Sequence, residues 1–176
     1  ASGASGEVGH TILFAGGRKC HCPGRGCLEA YVGGWAIAER AREAVAADPA
    51  AGAPLLAEAE RGGDGLGAAS IGRAAALGVP LALRLVQETG DWLGQGVAGL
   101  VNAFNPARVV MGGGVVEGWP ALLGDVEEAI RRHCQPPAAA AVTVHRVALG
   151  HDAVLIGAAT VARERTLPAR PREALG

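Results

Sequence analysis

Apolar residues fall at spacings of three and four along Leu28, Val32, Trp35, Ala38, Ala41 and Val45. This predicts a helix from Leu28 to about Ala47, bent or interrupted at Gly33-Gly34. The strongest stripe is Leu85, Val86, Thr89, Trp92, Leu93, Val97, Leu100, Val101 and Phe104, with Pro80 near the first helical position and Asn105-Pro106 as the stop. Pro120 is expected to open another helix, with Leu122, Leu123, Val126, Ile130 and His133 as its buried face and Gln135-Pro136-Pro137 as its end. Its acids precede its bases, the order the helix dipole favours. Shorter helices are expected from about Leu55 to Glu60, from an N-cap at Ser70 through Leu77, and from a cap at Asp152 to about Arg165. Three runs read as strands: Thr11 to Phe14, ended by Gly16-Gly17; Arg108 to Met111, entering Gly112-Gly113-Gly114; and the alternating Val142 to Val147. Strands alternating with helices imply an α/β layered domain, here residues 1–166, followed by a loose tail over 167–176.

Composition narrows the function. Of 176 residues, 49% are apolar and 19% charged, which excludes a disordered chain. Aromatics are only 3% while glycines number 28, so the core is expected to rely on Val, Leu, Ile and Ala with close backbone packing. A net charge of −1 offers no basic footprint for nucleic acid. No apolar run approaches a membrane span and no leader pattern is visible, so the expected compartment is the cytoplasm.

Three of the four cysteines crowd into one short stretch. His10, Cys20, Cys22 and Cys27 have the spacing H-x9-C-x-C-x4-C. One imidazole and three thiols suffice for a closed tetrahedral zinc site, and such ligands suit zinc better than harder cations. Gly16, Gly17, Gly24 and Gly26 let the loop turn back on itself. The competing reading is a disulfide scaffold or inert core thiols, but disulfide frameworks belong to small cysteine-dense chains. His21 could stand in for His10 only through a tight chelate; with Arg25 it is expected to face water. Cys134, far along the chain, is expected to be a packing residue. Glu7 and Glu29 flank the loop, and from the residues alone they read as solvated carboxylates or as supports for the metal. The triple glycine alone reads as a tight turn, although such a turn can bring backbone close to a nucleotide.

E-V-G-H, then C-x-C-x4-C, then Leu28-Glu29 and A-Y-V-G-G, together resemble the signature of the ROK family of bacterial sugar kinases and sugar-responsive repressors. The resemblance returns at L-V-N-A-F-N-P-A-R-V-V-M-G-G-G-V and at L-G-H-D-A-V-L-I-G-A-A, so it covers nearly the whole chain. Pro23 departs from it, since the family usually has glycine there. It implies the actin-like (ribonuclease-H-like) ATPase fold, of which this chain resembles only an incomplete C-terminal lobe. The N-terminal lobe is then a missing partner, and a sheet edge and an apolar face should be exposed. Residues 1–6 read either as a linker or as the Gly-rich lead into E-V-G-H. By resemblance, Glu7, His10 and Glu29 contact a hexose, His10 also ligates zinc, and Gly113 and Gly114 line the nucleotide cleft. The implied parent is a glucokinase-like kinase using ATP and Mg2+, with a homodimer expected. The alternative is the effector domain of a ROK transcriptional regulator, which would reach nucleic acid through an upstream domain. The catalytic Asp of the family belongs to the other lobe. Asp64, Asp91, Asp125 and Asp152 are better explained as loop, surface or cap residues, so this chain alone is expected to be inactive.

Overall fold

The computed structural model describes residues 6–119 and 121–166. Pro120, residues 1–5 and the tail from Leu167 lie outside the described residues. A 3-10 turn, Val8–His10, leads into the cysteine loop. Helices α1 (Glu29–Val32) and α2 (Gly34–Ala47) follow, separated by extended backbone at Gly33, as the paired glycines imply. Helix α3 (Pro49–Gly62) is longer than the piece expected around Leu55. Pro49 occupies the first position, where its missing N–H costs nothing, Pro54 lies inside the helix, and Asp48 caps it by accepting from Ala51 N at 3.0 Å. In α4 (Ala68–Ala76) Ser70 is the third residue rather than the cap, and its hydroxyl folds back to accept from Gly67 N at 3.0 Å.

Helix α5 (Pro80–Phe104) is the spine, ended by Asn105 in the left-handed region at φ 46. Strand β1 (Arg108–Met111), helices α6 (Gly114–Gly118), α7 (Leu122–His133) and α8 (Pro136–Ala141), and strand β2 (Thr143–Arg146) come next. A 3-10 turn, Gly150–Asp152, then leads into α9 (Ala153–Thr166). The two strands pair in parallel, Arg108 opposite Thr143 and Met111 opposite Arg146. Thr11 to Phe14 is not a strand: Ile12 makes one isolated bridge to Cys27, and both Leu13 N and Phe14 N donate to Gly26 O. The run has strand composition, but the loop offers it no strand to pair with.

The main core joins Ile37, Leu55, Ile71, Leu85 and Leu122 from five helices. A second cluster, Val97, Val101, Val126 and Ile130, lies between α5 and α7. These helices approach closely because α5 carries glycine at the contact; a Cβ on Gly94 would lie 2.1 Å from Ala129 Cβ. Two positions of the expected stripes are instead in solvent. Phe104 is 74% exposed because α5 outruns α7, and His133 is exposed because the chain turns in at Cys134, whose buried thiol lies 3.5 Å from Ala98 O. Cys134 is thus a packing residue, and burial raises its thiol pKa. Among the described residues no single helix is long and apolar enough to cross a membrane. Val110 of β1 and Val154 and Leu155 of α9 are exposed.

Candidate metal centre and the carboxylates around it

Backbone hydrogen bonds fold the loop before any ligand is considered. Gly17 N donates to Phe14 O at 3.0 Å, Gly26 N to Arg18 O at 2.7 Å, Cys20 N to Gly24 O at 3.2 Å and Leu28 N to Thr11 O at 2.9 Å. Gly26 has φ 78, and a Cβ there would lie 1.7 Å from Phe14 O, so only glycine fits. Pro23 sits in an exposed bend that leaves these bonds intact. Beneath the loop, Tyr31 accepts a hydrogen bond from Arg18 N at 2.8 Å and meets Phe14 and Trp92 edge to face. Buried Arg40 lies 4.1 Å from the centre of the Trp92 ring, and its guanidinium is satisfied by Tyr31 O, Thr89 Oγ1 and Glu88. Arg18 grips Glu43 through two hydrogen bonds of 2.8 and 2.7 Å, which holds the Glu43 carboxyl below its ordinary range.

The folded loop brings His10, Cys20, Cys22 and Cys27 together, with one ligand atom from each lying within 4.8 Å of all the others. His10 Nδ1 is 3.6 Å from Cys20 Sγ, and Cys22 Sγ is 3.6 Å from Cys27 Sγ. A tetrahedral centre with metal–sulfur bonds of about 2.3 Å has sulfur–sulfur edges of about 3.8 Å and nitrogen–sulfur edges of about 3.6 Å. The four side chains therefore enclose a space of the right size for one cation. A Cβ on Gly24 would lie in ordinary van der Waals contact with Cys22 Sγ and Cys27 Sγ, at 3.4 and 3.5 Å. All four cysteines are free thiols, against the disulfide reading. Gly24 N donates to Cys22 Sγ at 3.3 Å and lowers that thiol's pKa, whereas burial pushes Cys27 up to about 11. A cation in this space would bind the three sulfurs as thiolates and balance their charge.

His21 is not in the cluster. It is exposed at one side, but its ring does not simply face water: it stacks on Trp35 with centroids 3.8 Å apart. Glu29, the first residue of α1, reaches the cluster at His10. Its Oε2 is 3.5 Å from His10 Nδ1, and its Oε1 accepts from Trp35 Nε1 at 3.1 Å. Glu7 is exposed and is tied to the same turn through its backbone, where its carbonyl accepts from His10 N at 3.0 Å. His10 and Glu29 are thus adjacent, and Glu7 stands one short turn away. Gly113 and Gly114 lie beyond the C-terminal end of β1, Gly113 at φ 100, and a Cβ on either would meet nothing within 4 Å. Of the acids set aside in the sequence, Asp64 pairs with Arg73 at 2.7 Å and Asp91 with Arg132 at 2.6 Å. Asp125 packs against Gly90, and burial raises its carboxyl pKa. The contact that sequence reasoning missed is Trp35 with Glu29. Trp35 counted there as one more apolar position, and only the Gly33-Gly34 break hinted that it could leave the stripe.

Comparison with known proteins agrees with this architecture. The chain is 32% identical over 167 residues to a glucokinase of Streptomyces coelicolor, covering 92% of this chain and 51% of that protein. It is 29% identical over 162 residues to the DNA-binding transcriptional dual regulator NagC of Escherichia coli K12, covering 92% and 38%. The crystal structure of a ROK family glucokinase from Streptomyces griseus, in complex with glucose and AMPPNP, superposes with a TM-score of 0.77 at 32% identity, over 89% of this chain and 51% of that one. The chain therefore spans about half the length of the glucokinases it matches. The profile of the ROK family matches residues 1–165, and the chain belongs to the ROK family.

Proposed function

We propose that this chain is the sugar-binding C-terminal lobe of an ATP-dependent hexose kinase of glucokinase type. The observation that carries the reading is the junction of Glu29 with the His10, Cys20, Cys22, Cys27 cluster. The cation is zinc and its role is structural, because four protein ligands leave no open position for chemistry. Bound there, zinc holds the loop so that Glu7, His10 and Glu29 face a hexose. Carboxylates accept hydrogen bonds from sugar hydroxyls, and a rigid support fixes which hydroxyls they meet. Gly113 and Gly114 line the adenosine side of the nucleotide cleft. ATP and Mg2+ act in the complete parent, whose N-terminal lobe supplies the base and the first phosphate loop. This lobe alone is inactive, works in the cytoplasm and pairs into a homodimer.

A second reading has support from the regulator match at 29% identity: the same lobe serving as the effector domain of a sugar-responsive repressor. The glucokinase matches are higher in identity and are the reason for ranking the kinase first. Glu7→Gln and Glu29→Gln in the full-length protein test the sugar site by titration calorimetry. Losing a hydrogen bond to a charged group costs about 1.5–3 kcal/mol, so hexose affinity should fall roughly ten- to a hundredfold. Unchanged affinity in both variants removes the sugar assignment. Phosphoryl transfer from ATP to the hexose separates the kinase from a repressor whose operator affinity responds to sugar.

A further inference from the structure

We propose that Trp35 is a positioning residue that couples the metal loop to the hexose-facing carboxylate, an inference that rests on the reading of Glu29 as a sugar-binding acid. Two parts of one indole make the link. Its edge donates from Nε1 to Glu29 Oε1 at 3.1 Å. Its face stacks on His21 at 3.8 Å with the planes 17° apart, and His21 sits between the ligands Cys20 and Cys22. Glu29 Oε2 lies 3.5 Å from the imidazole of His10, another ligand. Glu29 therefore lies beside a ligand ring and is hydrogen-bonded by an indole that itself stacks on the ligand loop.

The backbone is built for this contact. On one continuous helix, residues 29 and 35 would point about 120° apart around the axis. The break at Gly33, with φ −66 and ψ 147, ends α1 and starts α2 in a new direction, which carries Trp35 back over Glu29. A Cβ on Gly33 would lie 3.0 Å from Glu29 Cγ and 3.2 Å from Trp35 Nε1, so the glycine keeps open the space where the pair meets. Each carboxylate oxygen can accept more than one hydrogen bond, so the indole leaves acceptor capacity for a sugar hydroxyl. An acid already fixed in place loses less freedom when the ligand arrives.

The test uses the full-length protein and whichever of D-glucose and N-acetyl-D-glucosamine binds it more tightly. Trp35→Phe keeps a ring to stack on His21 and removes the donor. Hexose Kd should rise about five- to tenfold, the cost of ordering one freed side chain on binding, while zinc content stays unchanged. In a Glu29→Ala background the same substitution should change Kd less than about twofold, because the coupled partner is gone. If Trp35→Phe fails to fold or loses zinc, benzothienylalanine at position 35 keeps the fused ring without its N–H, and the same criteria apply. An unchanged Kd in the position-35 variant, with binding weakened by Glu29→Ala, overturns the inference and leaves Glu29 as the sugar acid. An equal loss in both backgrounds also overturns it, since it marks a general packing role. If neither sugar binds, or Glu29→Ala leaves affinity intact, the sugar reading fails and takes this inference with it.

Discussion

The cysteine loop and the α5–α7 pair sit in one domain but are held differently. Around the loop, the buried apolar cluster is Cys20, Cys27, Ala30 and Tyr31, so two of its four members are thiols that a cation would claim. Between α5 and α7, Val97, Val101, Val126 and Ile130 interlock across glycines that admit close approach. The loop's order rests on its backbone bonds and on four side chains placed to hold a cation. The order of the helices follows from excluding water from methyl groups and needs no ligand. The proposed sugar site is thereby placed on the part of the molecule whose shape a cation would set.

Metal removal should break this comparison most visibly. Structural zinc contributes apparent binding energies of about 10–16 kcal/mol, which in a loop with so small a core is folding energy. Chelation should therefore abolish hydrogen-exchange protection at the amides of Leu13, Cys20, Gly26 and Leu28, and leave Val101, Val126 and Ile130 protected. Simultaneous loss in both regions would show that they are not independent. Leu122→Ala is the converse experiment. Leu122 is fully buried in the helical core, and Leu→Ala costs about 2–5 kcal/mol in such sites, with zinc stoichiometry unaffected. Gly94→Ala forces a methyl group against Ala129, and overpacking of this kind costs about 1–3 kcal/mol.

Smaller effects sharpen the boundary between the regions. The grip of Arg18 on Glu43 ties the loop to α2, but both side chains are partly exposed, so Arg18→Met should cost less than about 1 kcal/mol at neutral pH. The Arg18 hydrogen bond lowers the Glu43 pKa. The contribution of this pair is therefore complete above the ordinary glutamate value, near pH 4.5, and is lost as pH falls through the lower folded value. Denaturation midpoints of the parent and Arg18→Met proteins should differ at pH 7 and converge in acid, where protons also compete with the metal for the thiolates. Val154→Thr on α9 should be the mildest change, within about 0.5 kcal/mol, because Val154 is 83% exposed.

The same contrast explains what could be read from the chain alone. The ligand set was legible because thiols and imidazole at short spacing carry their chemistry in their identity, and the structure brings those four side chains together. The long α5 stripe and the Arg108 to Met111 strand entering its glycine turn were legible because periodicity and turn chemistry are local. The failures lie where a distant partner decides. Thr11 to Phe14 has the composition of a strand, but its amides answer to Gly26 across the loop. Phe104 and His133 keep the helical period, but they fall where the neighbouring helix has ended or the chain has turned away. The Trp35 contact with Glu29 depends on the change of direction at Gly33, and periodicity can register the break without giving the new direction.

The most direct test of the central claim is hexose titration calorimetry on the full-length protein as purified, after zinc is stripped, and after zinc is restored. The account predicts binding that disappears with the metal and returns with one equivalent of zinc per chain. Hexose affinity that is the same in all three states would contradict it.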